Sequence, residues 1–274
     1  MLKLDAHGFS PSLLEKILKM AGSADSFEAA AEALRSVGEI SISARTVNQL
    51  SAQLGGELAD ARDQRTQVYQ QQPLPRVPTK VDPPPCLAAV FCDGGRMRTR
   101  TAGGGHGIHQ PHWRETKNAG FHRMRSESYD HDPQPHPMMA AEADSRGFFA
   151  AEKRAFLGDG QKYNWSIQER WFPDFMAIAD FIHVVEYVYE AAKAFSNEPV
   201  ERWQQYVIWA EACWQGQVAA VIDELSRRLL ALPLPGPGQS DTGPREAVQR
   251  TRTYLTNNRS RMDYPRYRRE GLPV

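Results

Sequence analysis

Residues 87–94 read Leu-Ala-Ala-Val-Phe-Cys-Asp-Gly, an apolar run that ends in an Asp-Gly dipeptide at Asp93. Residues 154–160 read Arg-Ala-Phe-Leu-Gly-Asp-Gly and end in the same dipeptide at Asp159. Continuous apolar runs of this length beside glycine are typical of strands that are buried on both faces. We therefore expect an α/β domain in which Asp93 and Asp159 each lie at or near the end of an interior strand.

The two aspartates would form a site if their strand ends meet. Two carboxylates about 4 Å apart, at an effective dielectric constant of about 20, repel each other by roughly 4 kcal/mol. A folded site therefore needs a cation between them or a shared proton. Magnesium prefers oxygen ligands and fits this requirement. The pair predicts a magnesium site with Asp93 and Asp159 as ligands.

An ordinary turn is the alternative for the first dipeptide. Asp-Gly is the commonest tight hairpin turn, and the basic stretch 96–100 would then be the second strand of the hairpin. Asp159 differs, because a helical pattern with Ile167 and Trp171 follows it. It marks a strand-to-helix junction, the place where open α/β sheets put their sites.

The composition favours a soluble intracellular protein. The chain has 274 residues, 33 of them basic and 33 acidic, so its net charge argues neither for nor against nucleic acid as a partner. Cys86, Cys92 and Cys213 have no paired spacing, which argues against a disulfide framework and a cysteine zinc site. The start lacks a signal-peptide pattern, and no apolar run approaches the roughly 18 residues that span a bilayer. We expect a cytoplasmic protein without a membrane partner.

Residues 1–72 are predicted to form an N-terminal helical domain whose third helix is capped by Ser43. On that helix Val47, Leu50, Leu54 and Leu58 are expected to face inward, and Arg45, Thr46, Asn48 and Gln49 outward. The outline is typical of a helix-turn-helix, which would read DNA through Arg45, Asn48 and Gln49. The alternative is a packing or dimerisation module, which would make the chain a homodimer.

A proline-rich linker at 73–85 precedes a core predicted at 86–195. Besides the two apolar runs, the elements expected there are a basic strand through Arg100, a strand from Trp113 to Arg125, a loop over 130–137, a helix from Met138 and a buried strand over Ala177–His183. One long helix is predicted over 198–232, within a helical insertion at 196–243.

The segment 244–274 is basic, with eight arginines and three acidic residues from Arg245 onward. Arginine makes bidentate contacts to phosphate groups, so this segment suits a DNA backbone. The candidate contacts are Arg259, Arg261, Arg266, Arg268 and Arg269, with Tyr254, Tyr264 and Tyr267 interleaved among the arginines of the segment. The alternative is an ordinary solvated tail.

Six strings together carry a resemblance to a known family. They are LAAVFCDGGR (87–96), WRETKNAGF (113–121), MAAEADSRGFF (139–149), FLGDGQ (156–161), ERWFPDF (169–175) and ADFIHVVEY (179–187). On these strings the protein resembles the Kra-type insertion-sequence transposases, bacterial DDE transposases of the Mutator-like group, and the resemblance covers nearly the whole chain.

The resemblance implies a ribonuclease H-like core in which two aspartates and a glutamate bind two divalent metals, Mg²⁺ or Mn²⁺. The aspartates match Asp93 and Asp159, and a D-x-x-H signature of Mutator-like relatives matches Asp180 and His183. His183 would orient Asp180 or touch DNA, or it is an ordinary packing residue that closes a buried strand. The implied activity is metal-dependent cleavage and transfer of DNA at insertion-sequence ends. The implied location is the cytoplasm of a bacterium, in association with the nucleoid.

The chain departs from the family pattern near residue 274. Relatives continue past YPRYRREGLPV (264–274) into a helix that carries the third acid, and Glu270 does not match that acid. They also have a longer segment between the positions matching Asp132 and Met138, and zinc-ribbon cysteines upstream. We therefore expect a shortened copy whose two-metal site is weakened or lost and whose strand cleavage is negligible.

Two other functions stay open at this point. A shortened copy would act as a non-catalytic DNA-binding protein that competes with intact transposase for element ends. An unrelated metal-binding protein would use His106, His109 and His112, although the glycine and proline beside them favour a solvated loop.

Overall fold

The computed structural model of the chain describes residues 8–99, 112–121, 127–130, 135–234, 236 and 243–274, with the backbone alone at 94–99, 112–121, 127–130 and 135. The predicted loop with His106 and His109 lies outside the described residues, and for His112 only the backbone is described. The chain divides into two compact units, Met1–Gln71 and Gln72–Val274.

Three helices form the described part of the first unit: α1 (Pro11–Ser23), α2 (Phe27–Gly38) and α3 (Ala44–Gln71). A serine hydroxyl caps each helix, because Ser10, Ser26 and Ser43 accept hydrogen bonds from backbone N–H groups of the first turns. The shared core consists of Leu14, Ile17, Ala30, Leu34, Val47 and Leu50. The prediction of a helical segment with a capped third helix is confirmed.

The second half of α3 extends beyond the other two helices. Helices α1 and α2 have 13 and 12 residues, whereas α3 has 28. Val47 and Leu50 are buried, as predicted, and Leu54 packs against the core. The inward orientation predicted for Leu58 is wrong, because its side chain is 65% exposed. The two short helices cannot cover a helix of about twice their length.

The described part of the second unit contains a five-stranded sheet with the order β3-β2-β1-β4-β5. The strands are β1 (Leu87–Thr99), β2 (His112–Phe121), β3 (Glu127–Asp130), β4 (Lys153–Gly158) and β5 (Met176–Ala179). Strand β2 is antiparallel to both β1 and β3, whereas β4 is parallel to both β1 and β5. Both apolar runs are therefore interior strands, as predicted.

Strand β1 is longer than the apolar run. It passes through Asp93 and Gly94 to Thr99 and pairs with β2 over residues 90–99. The alternative of a hairpin turn at Asp93 is therefore wrong, and the stretch predicted as a separate basic strand continues β1 as far as it is described. Parallel pairing with β4 stops at Cys92, because β4 itself ends at Gly158. Asp93 thus lies inside β1, one residue after the last residue that β1 pairs with β4.

The described part of the second unit also contains helices. They are α4 (Pro135–Ser145), α5 (Lys162–Trp171), α6 (Phe181–Ala192), α7 (Pro199–Trp214), α8 (Val218–Ala231), α9 (Gly243–Asn258) and α10 (Tyr264–Glu270), with short 3₁₀ helices at Phe148–Ala150 and Arg259–Arg261. The alternation of helices with the parallel strands is that of an α/β fold, as predicted. Within the described ranges, no helix combines the length and apolar character needed to cross a membrane.

Two predicted elements around the sheet end or begin elsewhere. Helix α4 starts at Pro135, inside the predicted loop 130–137, because proline is well suited to a first helical turn. Strand β5 ends at Ala179, so the strand predicted over Ala177–His183 is wrong in its second half. There the Asp180 carboxylate accepts a hydrogen bond from the Ile182 N–H and starts α6.

The long helix predicted over 198–232 is wrong as well, because α7 and α8 are separate helices. The chain turns at Gly216, whose φ of 77° lies in the left-handed region that glycine adopts at little cost. The spacing of apolar residues did not reveal the end of α7, because buried residues such as Cys213 and Val218 lie on both sides of the turn.

The basic C-terminal segment is folded into helices. Tyr254, Tyr264 and Tyr267 are all buried, and the Tyr264 hydroxyl donates a 2.8 Å hydrogen bond to the Ala179 carbonyl at the end of β5. The alternative of a solvated tail is therefore wrong, and these tyrosines are core residues rather than a surface for DNA.

Candidate metal centre

Asp93 and Asp159 lie side by side at one edge of the parallel part of the sheet. The parallel register of β1 and β4 ends with the pair Cys92 and Gly158, and each aspartate is the next residue along its chain. Neighbouring strands are about 4.8 Å apart, so the two carboxylates start from adjacent backbone positions. Asp93 is exposed and Asp159 is half-buried. We call these two residues the strand-end pair.

The buried side chain of Asn164 connects the two members of this pair. Its amide nitrogen donates a 2.7 Å hydrogen bond to Oδ1 of Asp159 and a 3.2 Å hydrogen bond to the carbonyl of Cys92. The Gln161 N–H also donates to Oδ1 of Asp159, at 2.9 Å. One carboxylate oxygen of Asp159 is therefore fixed, whereas Oδ2 makes no hydrogen bond with the described residues.

Asp180 lies at the next position along the same edge. Gly158 is paired with Ala179 in the parallel register of β4 and β5, and the Asp180 N–H donates a 2.9 Å hydrogen bond to the Gly158 carbonyl. Strands β1, β4 and β5 are parallel neighbours, and in each of them an aspartate comes directly after the last residue of the parallel register. These aspartates are Asp93, Asp159 and Asp180. The Asp180 carboxylate accepts a 3.0 Å hydrogen bond from the Ile182 N–H, so part of its hydrogen-bonding capacity serves helix α6.

His183 lies in the first turn of α6 and not at the end of a strand. Its Nδ1 is 3.2 Å from a carboxylate oxygen of Glu186, one turn further along the helix. The alternative in which His183 closes a buried strand is therefore wrong. The side-chain contact that the structure gives it is with Glu186 rather than with Asp180.

Helix α9 packs directly on the turn that follows Asp159. Gly160 has a φ of 89°, and a Cβ atom there would lie 2.3 Å from Cε2 and 3.0 Å from Cζ of Tyr254. The Asn258 amide donates a 3.2 Å hydrogen bond to the Gly160 carbonyl, and the Trp165 indole donates a 2.7 Å hydrogen bond to Asn258. Glycine is required at position 160 both by its backbone conformation and by this close approach.

The hydroxyl of Tyr254 is buried and has no hydrogen-bond partner among the described residues. The residue is 7% exposed, and its ring stacks on Tyr187 at a centroid distance of 3.9 Å. Burial raises the pKa of Tyr254 well above its usual range, and the negative charges of nearby groups, Asp159 and Asp180 among them, raise it further. The phenol is therefore a permanent hydrogen-bond donor beside the strand-end pair.

These residues fit a hard divalent cation. Asp93 and Asp159 supply carboxylate oxygens from adjacent positions of the sheet. In the described part of the chain, no group of three or more His, Cys, Asp or Glu side chains is arranged to hold a metal ion. A cation at this edge would have the strand-end pair as its carboxylate ligands, and water would have to complete the coordination of an ion such as Mg²⁺, which usually keeps several waters.

The predicted DNA contacts on α3 are on its surface. Arg45, Asn48 and Gln49 are all exposed in the first two turns of the helix, on the side opposite the buried Val47 and Leu50. Their side chains are available to a partner, as a recognition helix requires.

The predicted arginine contacts near the C-terminus differ in their surroundings. Arg261 lies over the Trp165 ring at 4.5 Å, Arg266 pairs with Glu270 at 2.7 Å, and Arg268 donates to the Trp214 carbonyl at 3.2 Å. Arg259 and Arg269 are exposed and make no side-chain contact with the described residues. Part of this arginine set therefore stabilises the fold, which sequence spacing could not reveal.

The sequence analysis did not single out Asn164 or Asn258, and it placed Tyr254 in a DNA-binding segment rather than beside the turn at Gly160. For Asn164 a signal existed, because a polar residue five positions after Asp159 falls in the first turn of the following helix. A scan of the chain against models of protein families matched none of them, and a search of curated proteins also found no match.

Proposed function

We propose that this chain is the part of a Kra-type DDE transposase that carries two of its three metal-binding carboxylates, Asp93 and Asp159. The single observation that supports this most is the parallel register of Cys92 with Gly158, which makes the two aspartates neighbours. The resemblance implies these same two residues as metal ligands. The family resemblance and the β1–β4 register therefore support the same two residues, Asp93 and Asp159.

The sheet order supports a ribonuclease H-like core. Three antiparallel strands lead into two parallel strands, so β1 has an antiparallel neighbour on one side and a parallel neighbour on the other. This arrangement brings the interior strands β1 and β4 together at their ends. The carboxyl ends of parallel strands are where α/β sheets place their sites.

In this function, Asp93 and Asp159 would hold divalent cations, whose positive charge would help to activate the attacking hydroxyl and to stabilise the leaving oxygen of a DNA phosphodiester. The residues of the chain hold and orient the ligands. Asn164 and the Gln161 N–H fix one oxygen of Asp159, which leaves Oδ2 for the cation. A cation between the two strand ends would be attracted by the negative charges of both Asp93 and Asp159.

The 274-residue polypeptide is proposed to bind metal weakly and to cleave DNA negligibly. The described residues offer the strand-end pair without a third grouped carboxylate. Two carboxylates alone would hold a metal more weakly than three, and a third would add charge stabilisation that lowers the reaction barrier by several kcal/mol. Contact with DNA is assigned to Arg45, Asn48 and Gln49 of α3 and to the exposed Arg259 and Arg269.

A non-catalytic DNA-binding protein is the second candidate. The observation that favours it is the exposure of three polar side chains on α3, within a compact unit of its own that lacks the strand-end pair. Such a protein would compete with intact transposase for element ends. It predicts salt-sensitive DNA binding that is independent of divalent metal.

The test is DNA binding and cleavage by the purified chain, with labelled duplexes that contain either the sequences flanking its coding region or a scrambled sequence. We expect preferential binding of the flanking sequences and no cleavage with Mg²⁺ or Mn²⁺. Equal binding of both duplexes would contradict the assignment to element ends. Rapid cleavage would contradict the incomplete site. Binding of Mn²⁺ that depends on Asp159 separates the transposase proposal from the second candidate.

A further inference from the structure

The side chain of Asn258, the last residue of α9, is buried and held by three hydrogen bonds. Its amide nitrogen donates at 3.2 Å to the Gly160 carbonyl and at 3.0 Å to the Tyr254 carbonyl, and its oxygen accepts a 2.7 Å hydrogen bond from the Trp165 indole. An indole N–H only donates and a carbonyl only accepts, so these partners fix which end of the amide is nitrogen. The Asn258 amide therefore has one orientation against the turn at Gly160.

The Gly160 carbonyl belongs to the same peptide unit as the Gln161 N–H. That N–H donates a 2.9 Å hydrogen bond to Oδ1 of Asp159. The Gly160–Gln161 peptide is trans, and a trans peptide unit is planar, with its C=O and N–H pointing in opposite directions. A donor that holds the carbonyl end of this unit therefore also sets the direction of its N–H end.

We propose that Asn258 is a positioning residue of the metal site. By holding the Gly160–Gln161 peptide unit, it directs the Gln161 N–H at Oδ1 of Asp159, so that Oδ2 of this carboxylate is presented to a divalent cation. This inference rests on the proposed function, since it needs a cation at Asp159. Glycine permits the contact, because a Cβ at position 160 would lie 2.8 Å from Nδ2 of Asn258. The C-terminal segment 244–274 thereby contributes to metal binding as well as to the proposed DNA contacts.

The test is the variant Asn258→Ala, in which the Gly160 carbonyl loses its donor. Its affinity for Mn²⁺ alone, measured by calorimetric titration, should fall about 10-fold, as it does when other groups that orient metal ligands are removed. Asn257→Ala is the matched control, because Asn257 is the preceding residue of α9 and is exposed. This control should bind Mn²⁺ like the unsubstituted chain.

A second control, Val248→Ala, separates positioning from a general loss of stability. Val248 is a fully buried residue of the same helix. Its variant should have a lower melting temperature, as Asn258→Ala should, but it should keep the Mn²⁺ affinity of the unsubstituted chain. If both variants lower the Mn²⁺ affinity by the same factor, Asn258 is only a structural residue and the inference is overturned.

Gln161→Pro tests the other end of the same peptide unit. Gln161 is exposed and has a φ of −69°, which proline adopts without strain. The substitution removes the N–H that donates to Asp159 and leaves Asn258 in place. Its Mn²⁺ affinity should fall about 10-fold. Adding Asn258→Ala should then cause little further loss, because both changes act through one hydrogen bond. Unchanged Mn²⁺ affinity in Gln161→Pro would overturn the inference even if Asn258→Ala fails to fold.

The outcomes separate this inference from the proposed function. Mn²⁺ binding that Asp159→Asn abolishes and Asn258→Ala leaves within 2-fold would overturn the role of Asn258 alone. Failure of the unsubstituted chain to bind Mn²⁺, or binding that Asp159→Asn leaves unchanged, would overturn both the metal site and the role of Asn258.

Discussion

The side chain of Asn164 donates a 2.7 Å hydrogen bond to the carboxylate of Asp159 and also bonds to the backbone of the neighbouring strand at Cys92. Asn164 is completely buried. It therefore fixes the end of β4 to β1 at the point where the strand-end pair leaves the sheet. Asn164 thus adds a side-chain link between the two strand ends that the parallel register already brings together.

We predict that Asn164→Ala destabilises the protein by about 1–3 kcal/mol, because the Cys92 carbonyl and one Asp159 oxygen both lose a donor. Urea unfolding measures this change, and Mn²⁺ affinity should fall with it. Asn257→Ala is the control, since Asn257 is exposed on α9 and should tolerate the substitution. Equal stability of the two variants would show that Asn164 does not fix the strand ends.

Gly160→Ala should be more damaging. Alanine at a φ of 89° costs about 1–2 kcal/mol, and its Cβ would meet the Tyr254 ring at 2.3 Å. We expect a loss of more than about 2 kcal/mol in the free energy of unfolding. Gly56→Ala is the control, because Gly56 lies in α3 with nothing within 4 Å and alanine there favours the helix. A neutral Gly160→Ala would contradict the close packing of α9 on this turn.

Stability should fall at alkaline pH, in part through Cys213. Burial raises the pKa of this thiol from 9.0 to about 12. Between these values the unfolded chain releases a proton that the folded chain keeps, so the free energy of unfolding decreases as pH rises, by up to about 1.4 kcal/mol per pH unit. The stabilisation is fully present below pH 9.

Urea unfolding at pH 8, 9 and 10 measures this decline. Cys213→Ala should flatten it between pH 9 and 10, whereas Cys86→Ala, which removes an exposed thiol, should leave it as in the unsubstituted chain. An unchanged slope in Cys213→Ala would show that this thiol does not carry the effect.

Features that depend only on short segments could be predicted from the sequence. The apolar runs before Asp93 and Asp159 predicted interior strands, because a strand buried on both faces needs a continuous apolar stretch. Contacts between distant segments were not predictable in the same way. The hydrogen bond from Asn258 to Gly160 joins residues 98 positions apart, and no local pattern marks either residue as the other's partner.

Errors at element ends have similar causes. The apolar character of Phe181 and Ile182 extended the predicted strand into a helix that the Asp180 cap begins. Leu58 continued the apolar face of α3 beyond the point where other helices cover it. In both cases local hydrophobicity was read correctly, but the neighbours that decide burial lie elsewhere in the chain.

DNA binding through α3 predicts a defined effect of one arginine. Arg45→Ala should weaken binding to duplex DNA and reduce the slope of log affinity against log salt by about 1, because one phosphate contact is lost. Arg35→Ala is the control, since Arg35 is an exposed arginine of the same unit that pairs with Glu32. Identical salt dependence of the two variants would exclude Arg45 as a specific contact.

The most direct test of the central claim is calorimetric titration of the 274-residue chain with Mn²⁺, with Asp93→Asn, Asp159→Asn and Asp174→Asn measured in parallel. Asp174 is an exposed aspartate in the turn before β5. Asp174→Asn therefore removes the same negative charge as the other two substitutions, but at a position outside the strand-end pair. If Asp93 and Asp159 jointly hold a cation, each of their variants loses most of the Mn²⁺ affinity and Asp174→Asn retains it. Equal Mn²⁺ binding by all three variants would contradict the metal centre.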